Sequence, residues 1–152
     1  MPTPIIINTN IMKNIIIQAK RIILATALLA TAVACSKDDD IGDIFIDRDW
    51  KLSFVQDGNI RRSSAKEYSI RFQENTFEAL LPGGKNIRGN WKANGDTREF
   101  SCSNIRESGN LKGDTIAEKM RQILTKAQKY EGDTHYLKIK EQDNIYIQFH
   151  NR

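Results

Sequence analysis

Apolar and polar residues alternate with period two over most of the chain beyond residue 47, the spacing of strands that bury one face. Trp50, Leu52 and Phe54 alternate with Lys51 and Ser53. Tyr68, Ile70 and Phe72 alternate with Ser69 and Arg71, and Phe77, Ala79 and Leu81 with Glu78 and Leu80. Trp91 and Ala93, Phe100 and Cys102, Leu137 and Ile139, and Ile145, Ile147 and Phe149 continue the pattern. Asp57-Gly58, Pro82-Gly83-Gly84, Asn94-Gly95-Asp96 and Gln142-Asp143-Asn144 stand between these runs as turn signals. One segment departs from the period. In TIAEKMRQILTKAQKY, residues 115–130, the positions Ile116, Met120, Ile123, Leu124, Ala127 and Tyr130 recur at three-and-four spacing, and Thr115 with Glu118 has the form of a capping box. The pattern therefore predicts an α+β, mainly β fold: about seven antiparallel strands in a curved sheet or partial barrel, with one amphipathic helix over about 115–130 before the last two strands. Burying the apolar stripe of the helix against the sheet gives both a core.

A different pattern occupies the N-terminus. Lys20 and Arg21 precede IILATALLATAVA, thirteen uncharged residues from Ile22 to Ala34. At about 1.5 Å per residue this run is too short for a hydrocarbon core of roughly 30 Å and has the length of a signal-peptide h-region. Residues 1–34 read as a signal peptide, with Met12, directly before Lys13, as the more natural start. Composition changes meaning accordingly. Of 23 basic residues, Lys13, Lys20 and Arg21 lie in this segment with no acidic one, leaving 20 against 19 acidic residues, a formal charge of +1 instead of +4. The basic excess that would invite nucleic acid belongs mostly to the leader, and no nucleic-acid partner is expected.

Ala32-Val33-Ala34-Cys35 resembles the lipobox of bacterial lipoproteins, although Ala32 stands where the family usually has Leu. The resemblance implies cleavage before Cys35 and lipidation of its thiol. Ser36, Lys37, Asp38, Asp39 and Asp40 resemble the export signal of Bacteroidota surface lipoproteins. It implies an outer-membrane protein, surface-exposed or on the periplasmic face, with the membrane as partner through the anchor. Residues 35–46 read as the lipidated cysteine and a solvated acidic tether, reaching at most about 36 to 40 Å, and 47–152 as a single β-rich domain.

Trp50-x-Leu52, a strand ending at Phe72, Gly89-x-Trp91, the MRQILTKAQKY helix and the closing strands YLKIK and IYIQF resemble the META domain of heat-shock-type lipoproteins. The early Trp, Tyr68 to Phe72 and Gly89-x-Trp91 also resemble lipocalin-like lipoprotein domains. That second likeness implies a carrier of a small apolar ligand, in a pocket lined by Trp91, Phe72 and Ile139. Neither brings catalytic residues.

Direct chemistry is sparse. His135 and His150 lack the spaced partners of a zinc site, and Ser63 and Ser64 lack a nucleophile context. LPGGKN is followed by a strand, so it reads as a turn and not as a phosphate cradle. Arg61, Arg62 and Lys66 form a candidate basic patch, Cys102 faces the interior, and Trp50 and Trp91 serve the core. No catalytic or metal residue and no cofactor is expected. The chain reads as a non-catalytic envelope module that binds a protein, glycan or surface partner or helps maintain the envelope, its ligand residues unknown.

Overall fold

The computed structural model describes residues 38–151. Helix α1 (Asp38–Phe45) leads into β1 (Trp50–Asp57), β2 (Ile60–Arg62), β3 (Ser69–Phe72), β4 (Thr76–Leu81), β5 (Lys85–Ala93) and β6 (Phe100–Ser108). Helix α2 (Thr115–Lys126) and strands β7 (Lys129–Gly132), β8 (Tyr136–Gln142) and β9 (Ile145–Asn151) follow. All strand pairs are antiparallel, in the order β6-β5-β4-β3-β1-β9-β8-β7, with β2 paired to the far end of β1. The sheet curls into a half-barrel. Its two ends touch where Glu99 bridges Lys129, with Phe100 N donating to the Gln128 carbonyl (2.9 Å) and Tyr130 N to that of Arg98 (3.0 Å). No helix of the described residues is long and apolar enough to cross a membrane.

Helix α2 turns Ile116, Ala117, Met120, Ile123 and Leu124 into the core. Its start is fixed one residue earlier than the sequence indicates. Asp114, not Thr115, is the N-cap, and its Oδ1 accepts from Ala117 N (3.0 Å) and from Tyr68 Oη (2.9 Å), while Glu118 Oε1 accepts from Gly113 N (3.2 Å). Its end comes sooner than expected. Ala127 turns extended (φ −58°, ψ 134°), so Tyr130 is buried from strand β7 and three strands, not two, follow the helix. The helical spacing of Tyr130 is a coincidence of position. With the short, largely exposed β2, the strands of the described residues number nine instead of about seven.

Two bulges shift the alternation. In β1 the register slips between Leu52 and Phe54, so Val55 joins Trp50 inside and Phe54, expected inside, lies on the outer face beneath Arg61 (4.0 Å to the ring) and near Tyr146 (6.0 Å). The row Val55–Ile147–Ile139–Tyr130 then runs buried across four strands. In β6 the slip falls opposite Gly89. Asn104 takes a left-handed φ of 51°, so Asn104 and Ile105 together oppose one residue. Cys102 and Ile105, three apart, consequently both pack against the core. Gly89 itself faces inward, where a Cβ would lie 2.8 Å from both Phe77 Cε1 and the Ser103 carbonyl.

The largest departure concerns residues 38–46, expected as solvated tether. Ile41, Ile44 and Phe45 form the inner stripe of α1, and Phe45 is fully buried. Its ring centroid lies 4.7 Å from Trp91, 5.0 Å from Phe72, 5.6 Å from Phe100 and 5.0 Å from Tyr130. Trp50 Nε1 donates to the Ile44 carbonyl at 3.1 Å, Arg48 Nε to that of Asp43, and Ile46 bridges Phe72 in parallel. An acidic composition misled because three apolar residues at i, i+3 and i+4 suffice to dock a short helix. Phe45→Ala removes the ring about which four aromatics are arranged, and the expected cost is about 3–5 kcal/mol, measured by urea denaturation; an unchanged midpoint would show that α1 lies outside the cooperative core. Gly89→Ala, which must displace backbone, is expected to cost about 1–3 kcal/mol in the same assay.

Candidate functional site

On the outer face of β3 to β6, register brings together residues far apart in sequence. Arg71 pairs with Glu78, Glu78 with Arg88, and Arg88 with Arg106, one lateral row across four strands. Arg71 Nε lies 3.2 Å from Asp49 Oδ1, and Glu78 Oε1 accepts from Arg88 Nε at 2.8 Å and Nη2 at 2.7 Å. Charge therefore alternates along Asp49, Arg71, Glu78 and Arg88, then fails at Arg106, which stands directly opposite another arginine. Arg106 is exposed and its guanidinium meets no carboxylate among the described residues. Beside the row, Asn104 Nδ2 donates to Asn90 Oδ1 (3.1 Å) and Asn90 Nδ2 to the Asn75 carbonyl (3.2 Å). The row and the amides line an open groove of about 670 Å³ holding three guanidinium groups and one carboxylate. The bulge at Asn104 shapes its rim.

The residues singled out from sequence lie elsewhere. Cys35, Ser36 and Lys37 are outside the described residues, and Asp38, Asp39 and Asp40 open α1. Arg61, Arg62 and Lys66 do not form a patch. Neighbours on a strand point to opposite faces, so Arg61 covers Phe54 while Arg62 lies beside Lys119 and Arg121 of α2, and Lys66 is in the exposed β2–β3 loop. Ser63 and Ser64 share that loop, where Ser64 Oγ accepts from Lys66 N (2.9 Å). Pro82-Gly83-Gly84 is the β4–β5 turn, with Gly83 and Gly84 at φ 78° and 73°. His150 Nδ1 lies 2.9 Å from Ser53 Oγ, and His135 sits in the β7–β8 turn, its backbone N–H on Asp133 Oδ1 (2.7 Å). That N–H, with the neighbouring Tyr136 N–H and the imidazole, holds the Asp133 carboxyl below its ordinary range. No group of three or more metal-ligating side chains occurs among the described residues.

Phe72, Trp91 and Ile139, which would line a carrier's pocket, are buried against other protein atoms, the first two against Phe45. Trp91 Nε1 is satisfied by the Gln73 carbonyl (2.7 Å). Cys102 pairs with Trp91 across β5–β6, and burial pushes its thiol up to about 12 from 9.0. Half-buried beside Trp91, it keeps its proton in the fold at neutral pH, which slows its attack on electrophiles. Above about pH 9 the unfolded thiol ionises while the folded one keeps its proton, so this group's contribution to stability is whole below pH 9 and lost as pH rises towards 12. Labelling by iodoacetamide at pH 8 is expected to be at least tenfold slower in the native protein than in urea, followed by mass spectrometry; equal rates would contradict the buried thiol.

Comparison with known proteins gives a family and a fold. Residues 36–151 match the family described as a domain of unknown function, DUF4847. A DUF4847 family protein from Bacteroides vulgatus ATCC 8482, solved by crystallography, superposes with a TM-score of 0.55 at 19% identity, over 72% of this chain and 96% of that one. A protein from Burkholderia xenovorans, solved by NMR, superposes with a TM-score of 0.57 at 11% identity, over 71% of this chain and 83% of that one. No curated protein matches the chain. These findings overturn the likeness to a META domain. Trp50 and Trp91 are buried, Gly89 lies against Phe77 and the helix packs on the core, so these features serve the packing of this chain and are no signature of a META domain. Matched from Ser36 to Asn151, the chain belongs to the DUF4847 family.

Proposed function

We propose that this protein is a non-catalytic lipoprotein of the outer membrane, cleaved and lipidated at Cys35, whose β-domain is a binding module facing the cell surface. One observation carries the reading: the family match begins at Ser36, directly after the cysteine that the apolar run and small residues mark for modification. What is shared with relatives starts where the cleaved chain would start. A single acyl chain holds a protein marginally, whereas two or more hold it durably, so a diacyl or triacyl group on Cys35 suffices as anchor.

The fold supports a short connection. Helix α1 begins at Asp38, so the backbone from Cys35 to the first helical residue spans at most about 11 Å. Because Phe45 is built into the core, α1 couples the anchor to the domain and the module stands close to the lipid. An interior filled by Phe45 and its aromatic neighbours supports recognition by an outer surface rather than an enclosed apolar site. The partner belongs to the envelope, a protein or a glycan.

Palmitate labelling of the native protein beside Cys35→Ser, with protease shaving of intact cells, tests the proposal. Label is expected in the native protein alone, and shaving is expected to remove the domain. Equal label in both would end the lipoprotein reading, and resistance to shaving would move the module to the periplasmic face.

A further inference from the structure

We propose that the groove across β3 to β6 binds an oxyanion, a carboxylate or phosphate carried on a hydroxyl-rich molecule, gripped between Arg88 and Arg106. This rests on the reading of the domain as a binding module, not on the lipid anchor.

The first argument is the break in the charge row. Like charges directly opposite on adjacent strands destabilise a sheet, and opposite charges stabilise it. From Asp49 to Arg88 the row obeys that rule, and both carboxylates are already engaged, Asp49 by Arg71 and Glu78 by Arg88. At the next position the rule predicts an acid and the chain has Arg106. An anion seated between Arg88 and Arg106 completes the alternation. Guanidinium groups present forked N–H donors that match the two oxygens of a carboxylate or phosphate. Glu78 engages Arg88 through Nε and Nη2, so its Nη1 remains for a second acceptor.

The second argument is the polar lining. The amide chain Asn104 to Asn90 to the Asn75 carbonyl orients both side chains and leaves Asn104 Oδ1 without a donor. That oxygen, with Gln73 and Thr76 at the other side of the groove, suits the hydroxyl groups of a sugar. Asn104 is held at a left-handed φ by the bulge, which fixes where its amide sits before any ligand arrives. The groove is open, so its electrostatics are screened and binding weakens as salt rises.

Isothermal titration calorimetry on the full chain in neutral detergent tests the site with trigalacturonate and glucose 6-phosphate, each beside its uncharged counterpart, galactotriose and glucose. At least one anionic probe is expected to bind, more weakly at higher salt, with its neutral counterpart silent; the probe that binds identifies the carboxylate or the phosphate as the source. Arg106→Gln is expected to weaken binding about tenfold, and Lys112→Gln, on a distant turn, to leave it unchanged. Arg106→Glu completes the alternating row within the protein. It is expected to abolish binding while raising the thermal midpoint, which separates loss of the site from loss of the fold. Binding of neither anion, equal binding of a neutral probe, or wild-type affinity in Arg106→Gln would each overturn the proposal. Palmitate labelling at Cys35 is independent of all of these results, so failure of the site and failure of the anchor are told apart.

Discussion

The ring of Phe45 is the point on which the rest of the structure depends. The nine strands of the described residues curl so that Phe72, Trp91, Phe100 and Tyr130 converge near the Glu99–Lys129 bridge, around a space that the strands do not fill. Phe45 occupies that space from a helix of two turns, stacked on Trp91 and Phe100 and edge-on to Phe72 and Tyr130. Edge-to-face and offset arrangements of this kind each contribute about 0.5–1.5 kcal/mol beyond the area they bury. The helix could not hold itself, since eight residues are too few for an isolated helix in water. It persists because its last turn is part of the core, secured by the Trp50 indole and by the bridge from Ile46 to Phe72.

The other end of the core is closed by α2, which lies over the gap between β6 and the β8–β9 pair. Its cap joins two distant parts of the chain, because Asp114 Oδ1 receives both the Ala117 amide and the Tyr68 hydroxyl. Burial and that same carboxylate push the Tyr68 phenol up to about 12, so it serves as a donor across the physiological range. At the helix C-terminal end Glu141, nearly buried, accepts from Gln122 Nε2 at 3.1 Å and lies 3.6 Å from Lys126 Nζ. A carboxylate so placed needs such partners to offset its desolvation.

Inside and outside of the sheet are organised by the same register to opposite ends. On one half, Val55, Ile147, Ile139 and Tyr130 form an apolar row that seals the core. On the other, Arg71, Glu78, Arg88 and Arg106 form a charged row on the outer face. The bulge at Asn104 separates the two roles of β6: below it Phe100 and Cys102 point inward, above it Ile105 does, and Arg106 is left outside.

Strand existence, the mainly β class and the presence of one amphipathic helix were legible in sequence, because period two and period three-and-a-half are local properties that each segment carries by itself. Tyr68, Ile70, Phe72, Phe77, Ala79 and Leu81 are buried as their alternation indicates. Phe54 and Tyr130 were not legible, since a bulge and an early helix end are decided by partners across the sheet. The family was not legible either, because Trp50, Gly89 and Trp91, which carried the resemblance, serve the packing of this core. Nor was the groove: Arg71, Glu78, Arg88 and Arg106 lie 35 residues apart at the extremes and become neighbours only through three pairings and one slipped register. The sequence by itself determined the buried face of regular segments such as β3, β4 and the helix α2. Tertiary structure alone decided which outward residues meet and that Phe45 belongs to the core, since both depend on long-range registry that no local period encodes.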